Sequence, residues 1–169
     1  MEGYLIMSGW FSDVEVDDIP DDPNELPNNT YMFKVTSAVI AKTKANPNKP
    51  EKAIKTGITW KYQIIEGAWS NFFPLSDWVQ CPDENTKPEE VTRMLSNIKM
   101  RLLAFGFSVD EIKDFGPEMI TETVGRNFYG TTYLRKDKET QRTNININKF
   151  KPIDDDDVDL MGNDEEPAY

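Results

Sequence analysis

Histidine is absent from all 169 residues. Its absence removes Ser-His-Asp and Cys-His nucleophilic sites, His-ligated zinc and the side chain that most often acts as general base near neutral pH. Carboxylate chemistry with a magnesium ion survives in principle, but it needs rigid ligands, and the acids gather in the two segments least suited to fold. The expectation is therefore no enzymatic activity, no resident metal and no cofactor. Cysteine is nearly absent as well. Cys81 stands alone, so no internal disulfide can form, and a reducing compartment is expected. No secretory apolar core is evident, and no apolar run approaches the ~20 residues of a membrane span. Tyr4 to Met7 is too short. A cytoplasmic protein without membrane contact is expected.

Bases are missing from both ends. Residues 1–27 carry eight acids and no Lys or Arg, and residues 154–169 carry eight more, again without a base. Of 30 acids only 14 remain to face all 19 bases in the centre, which is therefore about +5 inside a chain of net charge −11. An acidic protein carries a basic domain, and a basic domain attracts polyanions.

The final stretch, DDDDVDLMGNDEEPAY, holds Asp154, Asp155, Asp156, Asp157, Asp159, Asp164, Glu165 and Glu166, with only Val158, Leu160 and Met161 as scattered apolar side chains before Pro-Ala-Tyr169. Such a segment repels itself and buries too little to offset the entropy of ordering, so disorder in the free protein is expected. It is either a solubilising tail or a peptide that other proteins grasp and that competes with nucleic acid for a basic groove on its own domain.

Along the chain, residues 1–29 mix acids, glycines and prolines and are expected to be largely irregular, with Trp10-Phe11 as a candidate anchor on the domain. Thr30 to Lys42 is rich in β-branched and aromatic residues and reads as a strand with Tyr31, Phe33, Val35 and Val39 on one face. Residues 43–56, TKANPNKPEKAIKT, form a loop; with Lys42 at its edge the lysines Lys44, Lys49, Lys52 and Lys55 oppose only Glu51. A solvated loop explains this, and so does a flexible comb that tracks phosphates. Ile58, Trp60, Tyr62 and Ile64 alternate against Thr59, Lys61 and Gln63 in a half-buried strand. A further strand region spans Trp69 to Gln80, interrupted at Pro74; its four aromatics (Trp69, Phe72, Phe73, Trp78) either complete the core or include stacking platforms.

Thr86 and Glu89 suggest a capping box, Pro88 an early helical position and Gly106 a stop. Between them Val91, Met94, Leu95, Ile98, Leu102 and Phe105 recur at helical spacing, predicting a helix of about five turns with one face on a sheet. Ser108 and Glu111 form a second capping box for a shorter helix ended by Gly116-Pro117. Val124 to Phe150 reads as a hairpin turning at Asp137-Lys138-Glu139, with Ile145 and Ile147 inward and Tyr129, Tyr133, Arg135, Arg142 and a ladder of asparagines outward.

The predicted fold is mainly β with one or two helices. Five strands with a helix after the third make an OB-fold-like, five-stranded, partly open barrel, and an antiparallel α+β sandwich gives the same inventory. The domains are an acidic N-terminal segment (1–29), an OB-like nucleic-acid-binding domain (30–153) and the acidic tail (154–169).

Several stretches together resemble bacteriophage single-stranded DNA-binding proteins of OB-fold type. They are Trp60-Lys61-Tyr62-Gln63-Ile64 ending in Gly67, the LLAFGF run at 102–107, Val124 to Gly130, Asn144 to Phe150, and the acidic tail closing on an aromatic. The resemblance covers roughly residues 30–169. Other members often end the tail in Phe after acids, whereas here Pro167-Ala168-Tyr169 follows Glu166. The resemblance implies single-stranded DNA binding in phage replication and recombination, within the cytoplasm of an infected bacterial host, with partner enzymes held by the tail.

Independently of it, sequence-tolerant binding of a single strand needs cations for phosphates and flat rings for bases in one groove. Lys42, Lys44, Lys49, Lys52, Lys55, Lys61, Arg126, Arg135 and Arg142 are the candidate cations, and Trp60, Tyr62, Tyr129 and Tyr133 the candidate rings. For Trp60 a core position and a stacking role both stand open. Asp154 to Asp157, Asp159, Asp164, Glu165, Glu166 and Tyr169 are the candidate protein-binding residues, and self-association through the acidic ends is a further possibility. The alternative function is a DNA mimic, or another protein-interaction module, that presents these acids to a host DNA-processing enzyme.

Overall fold

The computed structural model describes residues 9–13, 15–18, 26–44, 47–49 and 54–153. The tail at 154–169, with every residue assigned there to protein binding, and Lys52 of the basic loop lie outside the described residues.

Five strands form one open antiparallel sheet: β1 (Thr30–Lys42), β2 (Thr56–Ile64), β3 (Leu75–Gln80), β4 (Asn127–Lys136) and β5 (Thr143–Pro152), in the order β3-β2-β1-β4-β5. The long helix α1 (Pro88–Ala104) follows β3, and a short helix α2 (Val109–Lys113) and a 3-10 helix (Pro117–Thr123) lead into β4. A mainly β domain with its long helix after the third strand is what the sequence predicts, and this is the architecture observed.

The core lies on one face of the strongly bent sheet. Period-two alternation in β2 buries Ile58, Trp60, Tyr62 and Ile64, beside Phe33 and Val35 of β1, Leu75 and Val79 of β3 and Phe128 of β4. Leu102 and Phe105 at the end of α1 close over them, with Phe107 and Ile120 beyond. Rings dominate the contact: Tyr62 meets Phe128 edge-on at 4.8 Å between centroids, and Trp60 meets Phe105 edge-on at 5.4 Å. The packing begins before β1. Leu26 is fully buried, the Tyr31 hydroxyl donates to the Pro27 carbonyl at 2.6 Å, and Thr132 N donates to the Asn29 carbonyl at 2.8 Å.

Three local expectations change. The β1–β2 register shifts between Val35 and Ser37, and one extra residue reverses which side chains face inward. Ala38 and Ile40 therefore pack on the core, while Val39, expected inside, is 53% exposed. The first capping box does not form. Thr86 instead accepts from Asp83 N at 2.9 Å and donates to its carboxylate, in a loop that precedes the helix, and the helix N-cap is Lys87. The stop is as expected: Gly106 adopts φ +95°, and Gly106 N and Phe107 N donate to the carbonyls of Leu103 and Leu102, the pairing that satisfies the last free carbonyls of a helix. The second capping box forms in full, with Ser108 and Glu111 each accepting from the other's backbone N–H. Lastly, β3 starts only at Leu75, because residues 68–72 turn and bring Trp69 and Phe72 against the core.

Candidate nucleic-acid interface

Alternation that buries one face of β1, β2 and β3 leaves the other to solvent. Register places its side chains in rows. Val39, Thr59 and Trp78 share one row, Ser37, Lys61 and Ser76 the next, and Lys34 and Gln63 a third. Trp78 is 46% exposed, and its ring lies across Gly57, where an added Cβ would come within 2.3 Å of the indole. Glycine at 57 thus gives the ring a flat bed on the sheet. The same stretch answers which of its four aromatics are core: Trp69 and Phe72 are, while Trp78 and Phe73 are exposed. Phe73 stacks on Phe72 with centroids 4.2 Å apart.

Cations bracket this face. At one end the β1–β2 loop is pinned at its base by Thr43 N donating to the Lys55 carbonyl and Lys55 N donating to Thr43 Oγ1. Lys42, Lys44, Lys49 and Lys55 are all exposed there. Asp83 sits behind them. Hydrogen bonds from Asn85 N, Thr56 and Thr86, with Lys42 nearby, hold its carboxyl below the usual carboxylate range. At the other end the β4–β5 hairpin tip approaches the start of β3 across a groove of about 910 Å³. Phe73 and Ser76 form one wall, and Arg135, Lys136 and Lys138 the other, with Asp137 and Glu139 among them. Arg142 is exposed at the same tip, and Tyr133 is half-buried on the outer side of β4 opposite Asn146.

Four expected site residues are placed elsewhere. Trp60 and Tyr62 are 0% and 1% exposed. Their faces are taken by Phe105 and Phe128, and their polar atoms bond to Thr123 and Asp77, so neither ring has a surface free for a base. They belong to the core because they sit in phase with Ile58 and Ile64. Tyr129 is likewise buried, at 9%. Arg126 turns to the helical layer, with its guanidinium 4.0 Å above the Phe107 ring. Trp78 is the ring that sequence reasoning left unassigned. Its signal is the alternation of Leu75, Asp77 and Val79 inward against Ser76 and Trp78 outward, obscured by an inward aspartate and by Pro74 at the strand's edge.

A larger hollow of about 1060 Å³ lies by the start of β1 and the end of β5. It holds Lys149 and Lys151, but its rings, Tyr31, Tyr129 and Phe150, are buried or half-buried. The outer face of β1–β3 is the stronger candidate, because an open ring and a cation occupy adjacent rows there. Among the described residues no three carboxylates or thiols gather as metal ligands, and no helix is long and apolar enough to cross a membrane. No protein-family model matches the chain, and no curated protein matches it either.

Proposed function

We propose that this protein binds single-stranded DNA with little sequence preference, across the outer face of β1–β2–β3, in replication or recombination. The acidic tail serves to recruit partner enzymes and to compete with DNA. The observation that carries this is the exposed Trp78 beside Lys61, between a lysine loop at one end and a basic hairpin tip at the other. A single strand exposes bases that stack on rings and phosphates that seek cations, and a track of both suits it without reading sequence. The strand order supports an OB-type domain. An open sheet with β3 and β5 at its edges and the long helix after β3 fits the plan of a five-stranded barrel parted between those edges. In such barrels the face of strands two and three, with the β1–β2 and β4–β5 loops, binds oligonucleotides.

Fluorescence anisotropy with labelled oligo-dT and the same sequence as duplex, over a salt series, tests this. Tight single-strand binding that weakens steeply with salt is expected. Trp78→Ala should weaken it by about five- to 150-fold, the ~1–3 kcal/mol of one stacked base, with only a modest fall in the thermal melt from the packing lost over Gly57, so that the protein stays folded in the binding assay. Binding unaffected by Trp78→Ala would move the interface off this face. Deleting residues 154–169 should raise affinity most at low salt, where charge is least screened; equal affinities at low salt would end the competition idea. Failure to bind either DNA form, with or without the tail, together with inhibition of a DNA-processing enzyme, would favour the DNA mimic, to which the net charge of −11 gives some support.

A further inference from the structure

The apolar stripe of α1 is wider than the sheet can cover. Met94, Leu102 and Phe105 turn into the domain and are buried, but Leu95, on the same stripe, is 50% exposed. It lines a groove of about 550 Å³ between the helices, whose floor is Ile98 and Leu102 of α1 with Ile112 and Phe115. Among the described residues, Lys99 is the only charged one lining it. Val109 of α2 is also exposed, at 53%.

The N-terminal segment presents the complementary shape. Ser12 N and Ser12 Oγ both donate to the Gly9 carbonyl and close a turn that holds out Trp10 and Phe11. These are 85% and 56% exposed, so Trp10, expected to anchor on its own domain, keeps most of its surface open. Asp13 and Glu15 follow directly, opposite in sign to Lys99. A turn fixed by its own hydrogen bonds loses little freedom on binding, and a tryptophan filling an apolar pocket is the commonest kind of binding hot spot.

We propose that the α1–α2 groove receives the Trp10–Phe11 turn of a second copy of this chain. Knob and groove are different patches of one surface, so the contact is head-to-tail and adds copies in series. The groove belongs to the helices rather than to the outer face of β1–β3. Association therefore leaves the proposed DNA track open, and it does not depend on DNA binding at all. The tail fits the groove less well as an occupant, because Val158, Leu160 and Met161 are dispersed among acids whereas Trp10 and Phe11 adjoin.

Sedimentation velocity of the full chain without DNA decides it. The wild type should show a sedimentation coefficient that rises with concentration. Trp10→Ala and Leu95→Glu should each weaken association at least about tenfold, with unchanged circular dichroism and melting, since both side chains are exposed. An equimolar mixture of the two variants should form a one-to-one dimer that grows no further, because one keeps the groove and the other keeps the turn. A wild type that stays monomeric at all concentrations would overturn the proposal, as would variants that associate like wild type. So would association abolished by deleting residues 154–169 but not by Trp10→Ala.

Discussion

Trp60→Ala should lower folding stability by about 3–5 kcal/mol, the range for deleting a large ring from a packed core. Trp60 has no exposed surface, meets Phe105 edge-on, and donates from Nε1 to Thr123 Oγ1 at 3.0 Å. Truncation removes its packing and leaves a cavity between the sheet and the 3-10 helix. Trp60→Phe should cost less, because Thr123 keeps a partner in the Ile120 carbonyl at 2.7 Å. Urea denaturation measures both. DNA affinity per folded molecule should stay near wild type in Trp60→Phe, in contrast to Trp78→Ala. A stable Trp60→Ala protein that no longer bound DNA would return this ring to the interface.

Asp77→Ala should be comparably damaging, by about 3–5 kcal/mol, because it strips the partner from a largely buried cation. Asp77 points inward from β3, accepts from Arg101 Nε at 2.7 Å and Nη2 at 3.2 Å, and accepts from the Tyr62 hydroxyl at 2.6 Å. Arg101 also lies over the Phe150 ring at 4.7 Å, so the cluster ties α1 to β2, β3 and β5. Replacing Asp77 and Arg101 together by leucine should cost much less than Asp77→Ala, since no charge is then left buried alone. Additive losses in the cycle of Asp77→Leu, Arg101→Leu and the double variant would argue against the coupling. Burial, then the negative charge of Asp77 and its hydrogen bond, push the Tyr62 phenol well above its ordinary value of 10. A raised folded-state value favours the neutral phenol, so this stability is complete below pH 10 and declines as the pH rises through the folded-state value.

How much of the site is legible in the sequence depends on whether local rules decide it. The second capping box and the Gly106 stop form as expected, because each is settled within a few residues. The first capping box fails because Thr86 has a nearer partner in Asp83. In β1 a single extra residue near Thr36 moves Val39 outward, and no property of TYMFKVTSAVIAK announces it. For the site, the exposed lysines at 42, 44, 49, 55 and 61 are where a polar loop and an alternating strand put them. The rings are not. Trp60 and Tyr62 look like platforms because a lysine separates them, yet that alternation is what sends them inward with Ile58 and Ile64.

By itself the sequence determines the charge segregation, the mainly β class, the long helix after the third strand and the exclusion of histidine chemistry. All of these follow from composition and short-range periodicity. Only the tertiary structure decides which aromatic rings are core and which are open, that α1 leaves Leu95 uncovered, and that two basic loops bracket one sheet face. Those depend on register and on how far one element reaches over another, and both are set by contacts between residues far apart in the chain.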